Sequence, residues 1–251
     1  MVTEKPATNI LITGASSGIG AALAAEYAEM GNHLVLTGRN QERLTAISAA
    51  CRGKGAKAAE HIIDVTDTSA MNALFQTDGP FDLVFANAGI AGTEGGGFAE
   101  NTRLIFSVNI DGVANTLIPA IESMKENGGG QIGIVSSIAG FRGLPSAPAY
   151  AASKAAVKSW GEGLRGRYAA DGIRVSVICP GFVESAITAS NDFRMPLLMD
   201  APRAARIIRR GMERNKGLIA FPLPMLFGAW LMTVLPNRFV DWATRRLPRK
   251  E

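Results

Sequence analysis

The sequence predicts an α/β fold in which one doubly wound parallel sheet of about seven strands carries helices on both faces. Short apolar runs alternate along the chain with longer helix-forming stretches, a pattern typical of strand–helix–strand units. Hydrophobic residues make up 47% of the 251 residues and charged residues 19%, which excludes a mainly disordered chain. No linker rich in Pro, Gly and Ser divides this series, so we expect a single domain over residues 1–251.

Each predicted strand is a short apolar run, and each predicted helix is a stretch of helix-forming residues between two such runs. The strands are predicted at residues 10–13, 33–37, 58–63, 81–86, 131–136, 175–179 and 218–221. The helices are predicted at residues 20–30, 41–50, 68–75, 102–126, 151–170 and 203–215. Gly31 directly follows the first helix and is predicted to cap its C-terminus.

The charge of the chain is unevenly distributed. The whole chain carries a formal net charge of +4. Residues 1–193 contain 14 Lys and Arg against 18 Asp and Glu, whereas residues 194–251 contain 12 against 4. The basic character therefore belongs to the last part of the chain.

The numbers of cysteines and histidines limit which disulfides and metal sites the chain can form. Two cysteines, Cys51 and Cys179, cannot form a disulfide framework or a thiolate metal cluster. The only histidines, His33 and His61, lie in strand-like contexts without a carboxylate cluster, so no metal site is expected. Residues 1–8 are polar and contain no apolar secretory segment, so we expect a cytoplasmic protein.

A glycine-rich turn follows the first predicted strand and opens a helix; it reads Thr13-Gly14-Ala15-Ser16-Ser17-Gly18-Ile19-Gly20. Glycines let the backbone turn sharply and approach a pyrophosphate, while the helix N-terminus offers free N–H groups. The turn therefore favours dinucleotide binding over a purely structural role.

The spacing Gly-x-x-x-Gly-x-Gly in this turn resembles that of the short-chain dehydrogenase/reductase family, and further segments carry the same resemblance over about residues 9–185. They are Asn87-Ala88-Gly89, Asn109, Ser136-Ser137, Tyr150-Ala151-Ala152-Ser153-Lys154 and Pro180-Gly181. The sequence departs from the family at Ala86, where relatives usually have a first Asn, so that hydrogen bond is absent. The resemblance implies a Rossmann-like fold and a homodimer or homotetramer.

Four residues are the catalytic candidates: Ser137, Tyr150, Lys154 and Asn109. Tyr150 and Lys154 are four residues apart, so on a helix they share one face, and a nearby cation stabilises a phenolate. We expect this to lower the phenol pKa toward a range useful for acid/base catalysis. Ser137 follows a strand end and can hold the substrate oxygen. The resemblance implies that Asn109 holds a water that joins Lys154 to solvent.

The choice of cofactor depends on the end of the second strand, Thr37-Gly38-Arg39. An acidic residue there would bind the ribose 2′-hydroxyl of NAD, whereas Arg39 accommodates a 2′-phosphate, so NADP(H) is predicted. The alternative is that Arg39 is a solvated turn residue. Asp64 either contacts adenine with Val65 or caps a helix. The expected cofactor contacts are Gly14, Ser16, Ser17, Gly18, Ile19, Gly20, Arg39, Asp64, Val65, Asn87, Ala88, Gly89, Tyr150, Lys154, Pro180, Gly181 and Val183.

The expected reaction is hydride transfer between the nicotinamide and a carbonyl or alcohol carbon, with Tyr150 as the general acid or base. The resemblance implies a substrate lid, which we place at residues 186–216. The apolar residues of the whole stretch after Pro180-Gly181 either line a pocket or pack the lid on the domain, and the first alternative predicts a hydrophobic substrate. They are Phe182, Ile187, Phe193, Met195, Leu197, Leu198 and Met199. The alternative function is a catalytically silent NADP-binding regulatory or membrane-scaffold module.

Residues 222–251 are predicted to form an apolar and basic C-terminal extension. Residues 217–237 carry no charge, but Pro222 and Pro224 would break a membrane-spanning helix near its start. The remaining apolar helix, residues 225–235, is too short to span a bilayer and can be buried in the protein's own core or lid, in a partner subunit, or in a membrane interface on the cytoplasmic face. Nucleic acid is not expected as a partner, because no recognised nucleic-acid motif accompanies the basic residues.

Overall fold

Seven parallel strands form one sheet in the order β3-β2-β1-β4-β5-β6-β7. The structure is a computed structural model, and it describes residues 8–92, 96–189 and 195–244. The strands are β1 (Asn9–Ile12), β2 (His33–Gly38), β3 (Lys57–Ile62), β4 (Leu83–Ala86), β5 (Gly130–Val135), β6 (Ile173–Pro180) and β7 (Leu218–Phe221). This is the predicted Rossmann-like sheet, and the fold prediction is confirmed.

Helices connect the strands and cover both faces of the sheet. They are α1 (Gly18–Tyr27), α2 (Gln41–Gly53), α3 (Thr68–Asp78), α4 (Phe98–Phe106), α5 (Gly112–Glu126), α6 (Pro148–Arg167), α7 (Ala186–Ala189), α8 (Ala201–Glu213), α9 (Leu223–Val234) and α10 (Asn237–Thr244). A turn of π-helix, Ser107–Asp111, joins α4 to α5, and a 3₁₀ turn, Ile138–Phe141, follows β5.

All strands are parallel, but the order in which the chain adds them to the sheet reverses between β1 and β4. β1 pairs with β2 on one side, where Leu11 faces Val35, and with β4 on the other, where Leu11 faces Val84. The helices on the two sides of this point lie on opposite faces of the sheet, which leaves a crevice at the carboxyl ends of the strands. This crevice is where a ligand is expected to bind in such a fold.

Two apolar cores hold the layers together. On one face, α1, α2 and α8 pack on the sheet through side chains such as Leu23, Leu44 and Ile208, all fully buried. On the other face, α3, α5 and α6 pack through side chains such as Met71 and Leu117. The strands β1, β2, β4, β5 and β6 are therefore covered on both sides, which explains why they read as continuous apolar runs, whereas the edge strand β3 has no buried residue.

Most helix boundaries differ from the prediction by a few residues, and three differences concern a predicted role or range. The first helix ends at Tyr27, so Gly31 does not cap it; this glycine instead supplies a φ of 90° in the turn before β2. The predicted helix at residues 102–126 is a longer helical stretch that the π-helical turn interrupts. The predicted lid range, 186–216, contains α8, whose buried face belongs to the first core.

The helical stretch Phe98–Glu126 is, by length and composition, apolar enough to cross a membrane, and half of its apolar window is buried within the domain. In the C-terminal extension, α9 begins at Leu223, two residues earlier than predicted. Pro222 is its N-cap and Pro224 lies in its first turn, where proline disturbs no helical hydrogen bond.

Candidate active site

A cleft of about 1350 Å³ opens at the carboxyl edge of the sheet. The loops that follow the strands β1 to β6 line it, together with the start of α6 and the segment around α7. It lies over the point where the strand order reverses between β1 and β4, which is the binding position expected for this topology.

The glycine turn forms the floor of the cleft. Gly14 and Gly18 adopt φ values of 66° and 53°, in the left-handed region that favours glycine. A side chain on Gly20 would place its Cβ 2.6 Å from Asn87 Nδ2 and against the carbonyl oxygen of Gly14. The side chain of Ser17, the N-cap of α1, makes no capping hydrogen bond, so the first N–H groups of the helix remain available to an anion.

Asn87 ties the end of β4 to the glycine turn. Its Nδ2 donates to the carbonyl oxygens of Thr13, at 2.8 Å, and Gly14, at 3.2 Å. The backbone N–H of Asn87 donates in turn to the hydroxyl of Thr13, at 3.0 Å. Ala86, where relatives have a first Asn, is buried in the second core. Asn87 and Thr13 therefore fix the turn here without the first Asn.

The three central catalytic candidates meet at the middle of the cleft. Ser137 lies two residues after the end of β5 at Val135, and its hydroxyl accepts a hydrogen bond from the N–H of Ala139 at 3.1 Å. Tyr150 and Lys154 project from the first turns of α6, with Lys154 Nζ 5.8 Å from the centroid of the Tyr150 ring. Lys154 is 3% exposed, and its Nζ donates to the carbonyl oxygen of Val135 at 3.0 Å.

Burial governs the acid/base properties of this group. It lowers the pKa of Lys154 to about 8, because an ammonium loses hydration in the protein interior. Burial raises the pKa of Tyr150, and its hydrogen bond with Ser137 opposes that rise. The expected lowering of the phenol pKa is therefore not found in the protein alone, because desolvation of the phenolate outweighs its stabilisation.

Asn109 lies in the π-helical turn and is fully buried. Its Nδ2 donates to the carbonyl oxygen of Ile90, at 2.9 Å, and to the hydroxyl of Ser153, at 3.0 Å. Its Oδ1 accepts from the N–H of Ile90 at 2.8 Å. Ser153 donates onward to the carbonyl oxygen of Tyr150 at 2.8 Å. Asn109 is thus placed behind the cleft wall, where it braces the backbone on both sides, and its role in a water relay stays a prediction.

Basic side chains surround the far end of the cleft, beyond β2. Arg39 lies there, 62% exposed, with Nη1 3.7 Å from a carboxylate oxygen of Asp64. Hydrogen bonds from Thr66, together with the charge of Arg39, lower the pKa of Asp64 against the opposing effect of burial. Arg43, in the first turn of α2, lines the same end and was not predicted. It could have been found from its position, because first-turn residues after a strand end face the crevice.

The cleft brings together nearly all the predicted site residues. Those that line it are Gly14, Ser16, Ser17, Gly18, Ile19, Arg39, Asp64, Val65, Asn87, Ala88, Gly89, Ser137, Tyr150, Lys154, Pro180, Gly181 and Val183. Gly20 and Asn109 do not line it, because each packs directly behind the wall. The capping alternative for Asp64 is not found: the N-cap of α3 is Asp67, which accepts from the N–H of Ala70.

The predicted lid residues have different positions. Ile187 lines the cleft, whereas Met199 is buried in the first core. Leu197 and Leu198 are about half exposed, at 54% and 44%, and are not part of the cleft wall. Phe193 lies outside the described residues. Apolar wall residues that the prediction missed are Ile90, Phe98, Ile105 and Val108.

The residues present fit a nicotinamide dinucleotide. The glycine turn and the exposed start of α1 suit a pyrophosphate, Arg39 and Arg43 suit the adenosine end, and Lys154 suits the ribose beside the nicotinamide. Within the described ranges, no group of three His, Cys, Asp or Glu side chains is placed to hold a metal ion.

Comparison with known proteins agrees with this geometry. A family model described as short chain dehydrogenase matches residues 8–194. An uncharacterized oxidoreductase from Myxococcus xanthus is 38% identical over 243 residues, which cover 94% of this chain and 96% of the relative.

Solved structures also share the whole architecture. A short-chain dehydrogenase from Sphingobium yanoikuyae in complex with NADPH has a TM-score of 0.78 and 27% identity, covering 92% of this chain and 97% of its own. A short chain dehydrogenase/reductase from Burkholderia phymatum in complex with NAD has a TM-score of 0.81 and 25% identity, covering 100% and 99%.

Proposed function

The chain belongs to the short-chain dehydrogenase/reductase family, and from this premise we propose that it is an NADP(H)-dependent oxidoreductase acting on a hydrophobic carbonyl or alcohol. The observation that carries the proposal is the meeting of Ser137, Tyr150 and Lys154 in one cleft with the glycine turn. The proton donor, the hydrogen-bond donor to the substrate oxygen and the dinucleotide site must share a cleft, because hydride and proton are transferred to the same substrate.

Each side chain has a definite task in this reaction. The hydroxyl of Ser137 donates to the substrate oxygen and polarises the carbonyl. Tyr150 gives its proton to that oxygen during reduction and takes it back during oxidation. Lys154 favours the phenolate by its charge and can bind the ribose of the dinucleotide. When bound, the dinucleotide supplies or accepts the hydride at its nicotinamide ring.

The preference for NADP(H) rests on the adenosine end of the cleft. Gly38 offers no carboxylate there, and the cations of Arg39 and Arg43 suit a ribose 2′-phosphate. The two solved relatives differ in this respect, since one is a complex with NADPH and the other a complex with NAD. The proposed preference for NADP(H) therefore rests on the residues of this chain.

The hydrophobic substrate class is supported by the outer part of the cleft. Ile90, Phe98, Ile105 and Ile187 line this part, and apolar side chains predominate beside a few polar groups. This wall suits an aliphatic, prenyl or sterol-like chain next to the carbonyl.

The homodimer or homotetramer implied by the family resemblance is also a proposal. It is supported by a groove of about 240 Å³ between α5 and α6, which Ile118 and Trp160 line. Ile118 is 51% exposed in the single chain, and a partner subunit would cover it.

The deciding experiment is a panel of aliphatic, prenyl and steroid carbonyls, assayed by the loss of NADPH or NADH absorbance. We expect turnover with NADPH on at least one apolar carbonyl, and a fall of about 10²-fold to 10⁴-fold in kcat for Tyr150→Phe with the affinity for NADPH retained. NADPH binding without turnover on any substrate would favour the silent module instead. Undiminished turnover by Tyr150→Phe would refute the assigned proton donor.

A further inference from the structure

The C-terminal helix α9 is apolar on two faces, and the protein covers only one of them. Its inner face packs on the 3₁₀ turn after β5 through Met225, Ala229 and Met232, and Ala229 is 3% exposed. Its outer face consists of exposed residues. They are Leu223, Phe227, Trp230, Leu231 and Val234, whose exposed fractions lie between 38% and 72%.

The spacing of these residues makes the exposed side chains one surface. Positions 223, 227, 230, 231 and 234 recur at helical intervals and form a single stripe along α9. The rings of Phe227 and Trp230 lie 5.9 Å apart within this stripe. Leu235 follows it, and α10 adds Phe239 and Trp242, exposed at 51% and 74%. We call these eight side chains the C-terminal apolar surface.

Single exposed apolar residues are ordinary on a protein surface, whereas a helical stripe of large ones indicates an interaction site. Its occupant can be inferred from the charge beside it. Residues 217–237 carry no charge, but residues 238–251 contain five Lys and Arg against two acidic residues. The first of these cations, Arg238, lies 5.0 Å from the ring centroid of Phe239. Arg245, Arg246, Arg249 and Lys250 follow α10 in the sequence.

We propose that the C-terminal apolar surface docks on an anionic lipid bilayer. Its aliphatic and phenyl groups would enter the acyl boundary, its two tryptophans would lie at headgroup level, and the adjacent cations would bind lipid phosphates. A second copy of the chain fits less well. A second copy would present the same net basic sequence, since residues 238–251 hold five Lys and Arg against two acidic residues, whereas an anionic bilayer supplies the opposite charge.

The docking surface also lies beside the active site. The inner face of α9 packs against Gly181, which lines the cleft: a Cβ on Gly181 would lie 2.9 Å from Met225 Sδ. Ile138, which contacts the same helix, directly follows Ser137. Docking through α9 would therefore hold the end of the cleft near the bilayer, although the proposal does not depend on the reaction assigned to the cleft.

The test is co-sedimentation of the full-length protein with vesicles of phosphatidylcholine alone or with 30% phosphatidylglycerol, at low and high salt. Phe227→Gln/Trp230→Gln removes two large side chains from the surface. Met30→Gln/Ile62→Gln is the matched control, because Met30 and Ile62 are exposed at 88% and 49% far from α9. The thermal unfolding of each variant shows whether it is folded.

We expect the wild-type protein to partition into anionic vesicles at least tenfold more strongly than into neutral ones, and high salt to weaken this partitioning. The surface variant should partition about tenfold more weakly than wild type, and the control variant should partition like wild type. The intrinsic fluorescence of Trp230 and Trp242 should also be quenched by brominated lipid. A wild-type protein that stays in the supernatant with both vesicles overturns the proposal. Light scattering would then show whether the surface variant breaks a dimer, which would identify a second copy as the occupant.

Discussion

Lys154 Nζ lies 5.8 Å from the centroid of the Tyr150 ring, one turn earlier on α6, and donates to the carbonyl oxygen of Val135 at the end of β5. The ammonium of Lys154 therefore links α6, which carries Tyr150, to the end of β5, two residues before Ser137. Because Lys154 is almost fully buried, its charge is costly in the protein alone, and that cost can be measured.

The first prediction concerns the pH dependence of stability. Burial lowers the pKa of Lys154 from its ordinary value of 10.5 to about 8 in the folded chain. Between these two values the unfolded chain holds a proton that the folded chain has lost. Raising the pH through this window therefore favours the folded state. We expect the free energy of unfolding, relative to Lys154→Met, to increase between pH 8 and 10.

The comparison with Lys154→Met isolates this effect. Burial raises the pKa of Cys179 to about 11, which gives stability the opposite pH slope. Burial, the largest cause, acts on Cys179 in both proteins, so most of this slope cancels in the difference, whereas the smaller effect of the Lys154 charge on Cys179 does not. Urea unfolding at pH 7.5 and 9.5, without cofactor, is the measurement. A difference between the two proteins that does not change with pH would show that Lys154 keeps its ordinary pKa.

The second prediction concerns cofactor choice. Arg39→Asp removes the cation placed for a 2′-phosphate and introduces a carboxylate that can bind a ribose hydroxyl. We expect the ratio of kcat/KM for NADPH to that for NADH to fall by about tenfold or more, as the loss of a charge-assisted hydrogen bond implies.

Arg174→Asp makes the same charge change in β6, on an exposed side chain outside the cleft, and serves as the control for Arg39→Asp. If both variants shift the ratio equally, the effect comes from net charge and not from Arg39. An unchanged ratio in Arg39→Asp would show that Arg39 is a solvated turn residue.

The sequence predicted the sheet well because its central strands are buried on both sides and read as apolar runs. It predicted helix ends less well, because a helix end depends on tertiary contacts as much as on composition. Gly31 is the residue type that commonly caps a helix, yet α1 ends at Tyr27, because the backbone leaves helical geometry at the next residue, Ala28. No sequence signal marks the π-helical turn at Ser107–Asp111. Asn109 in this turn bonds to Ile90 and Ser153, which are distant in the sequence, so local composition does not reveal these contacts.

The site was predictable where a residue's task depends on local order along the chain. The glycine turn and the Tyr150–Lys154 pair each lie within one strand–turn–helix or one helix, so spacing identifies them. Side chains such as Phe98 and Ile105 reach the cleft through the packing of separate elements, and no spacing rule joins them to the turn. Gly20 was predicted as a cofactor contact, but it lies in α1, packs against protein atoms and does not line the cleft.

The third prediction concerns the brace around Asn109. Asn109→Ala leaves the N–H and carbonyl of Ile90 without their side-chain partner, whereas Ser153→Ala removes only one of the three bonds of Asn109. We expect Asn109→Ala to cost about 2 to 3 kcal/mol of the free energy of unfolding and Ser153→Ala about 1 kcal/mol.

The double variant should cost less than the sum of the two single variants, because both remove the same Asn109–Ser153 bond. Denaturant unfolding of the four proteins in the cycle is the measurement. Strict additivity would mean that this bond contributes nothing to stability.

The last prediction uses two glycines to test the close packing of the turn. A methyl group on Gly20 would lie 2.6 Å from Asn87 Nδ2 and against the Gly14 carbonyl, so Gly20→Ala must push apart the contacts that shape the cofactor cleft. We expect a loss of about 1 to 3 kcal/mol of stability and weaker NADPH binding.

Gly163, in α6, has no atom within 4 Å of an added methyl group. Gly163→Ala should therefore raise the melting temperature, since alanine favours a helix by up to about 1 kcal/mol over glycine. Equal effects of the two substitutions on melting temperature and NADPH affinity would show that the turn tolerates a side chain at residue 20.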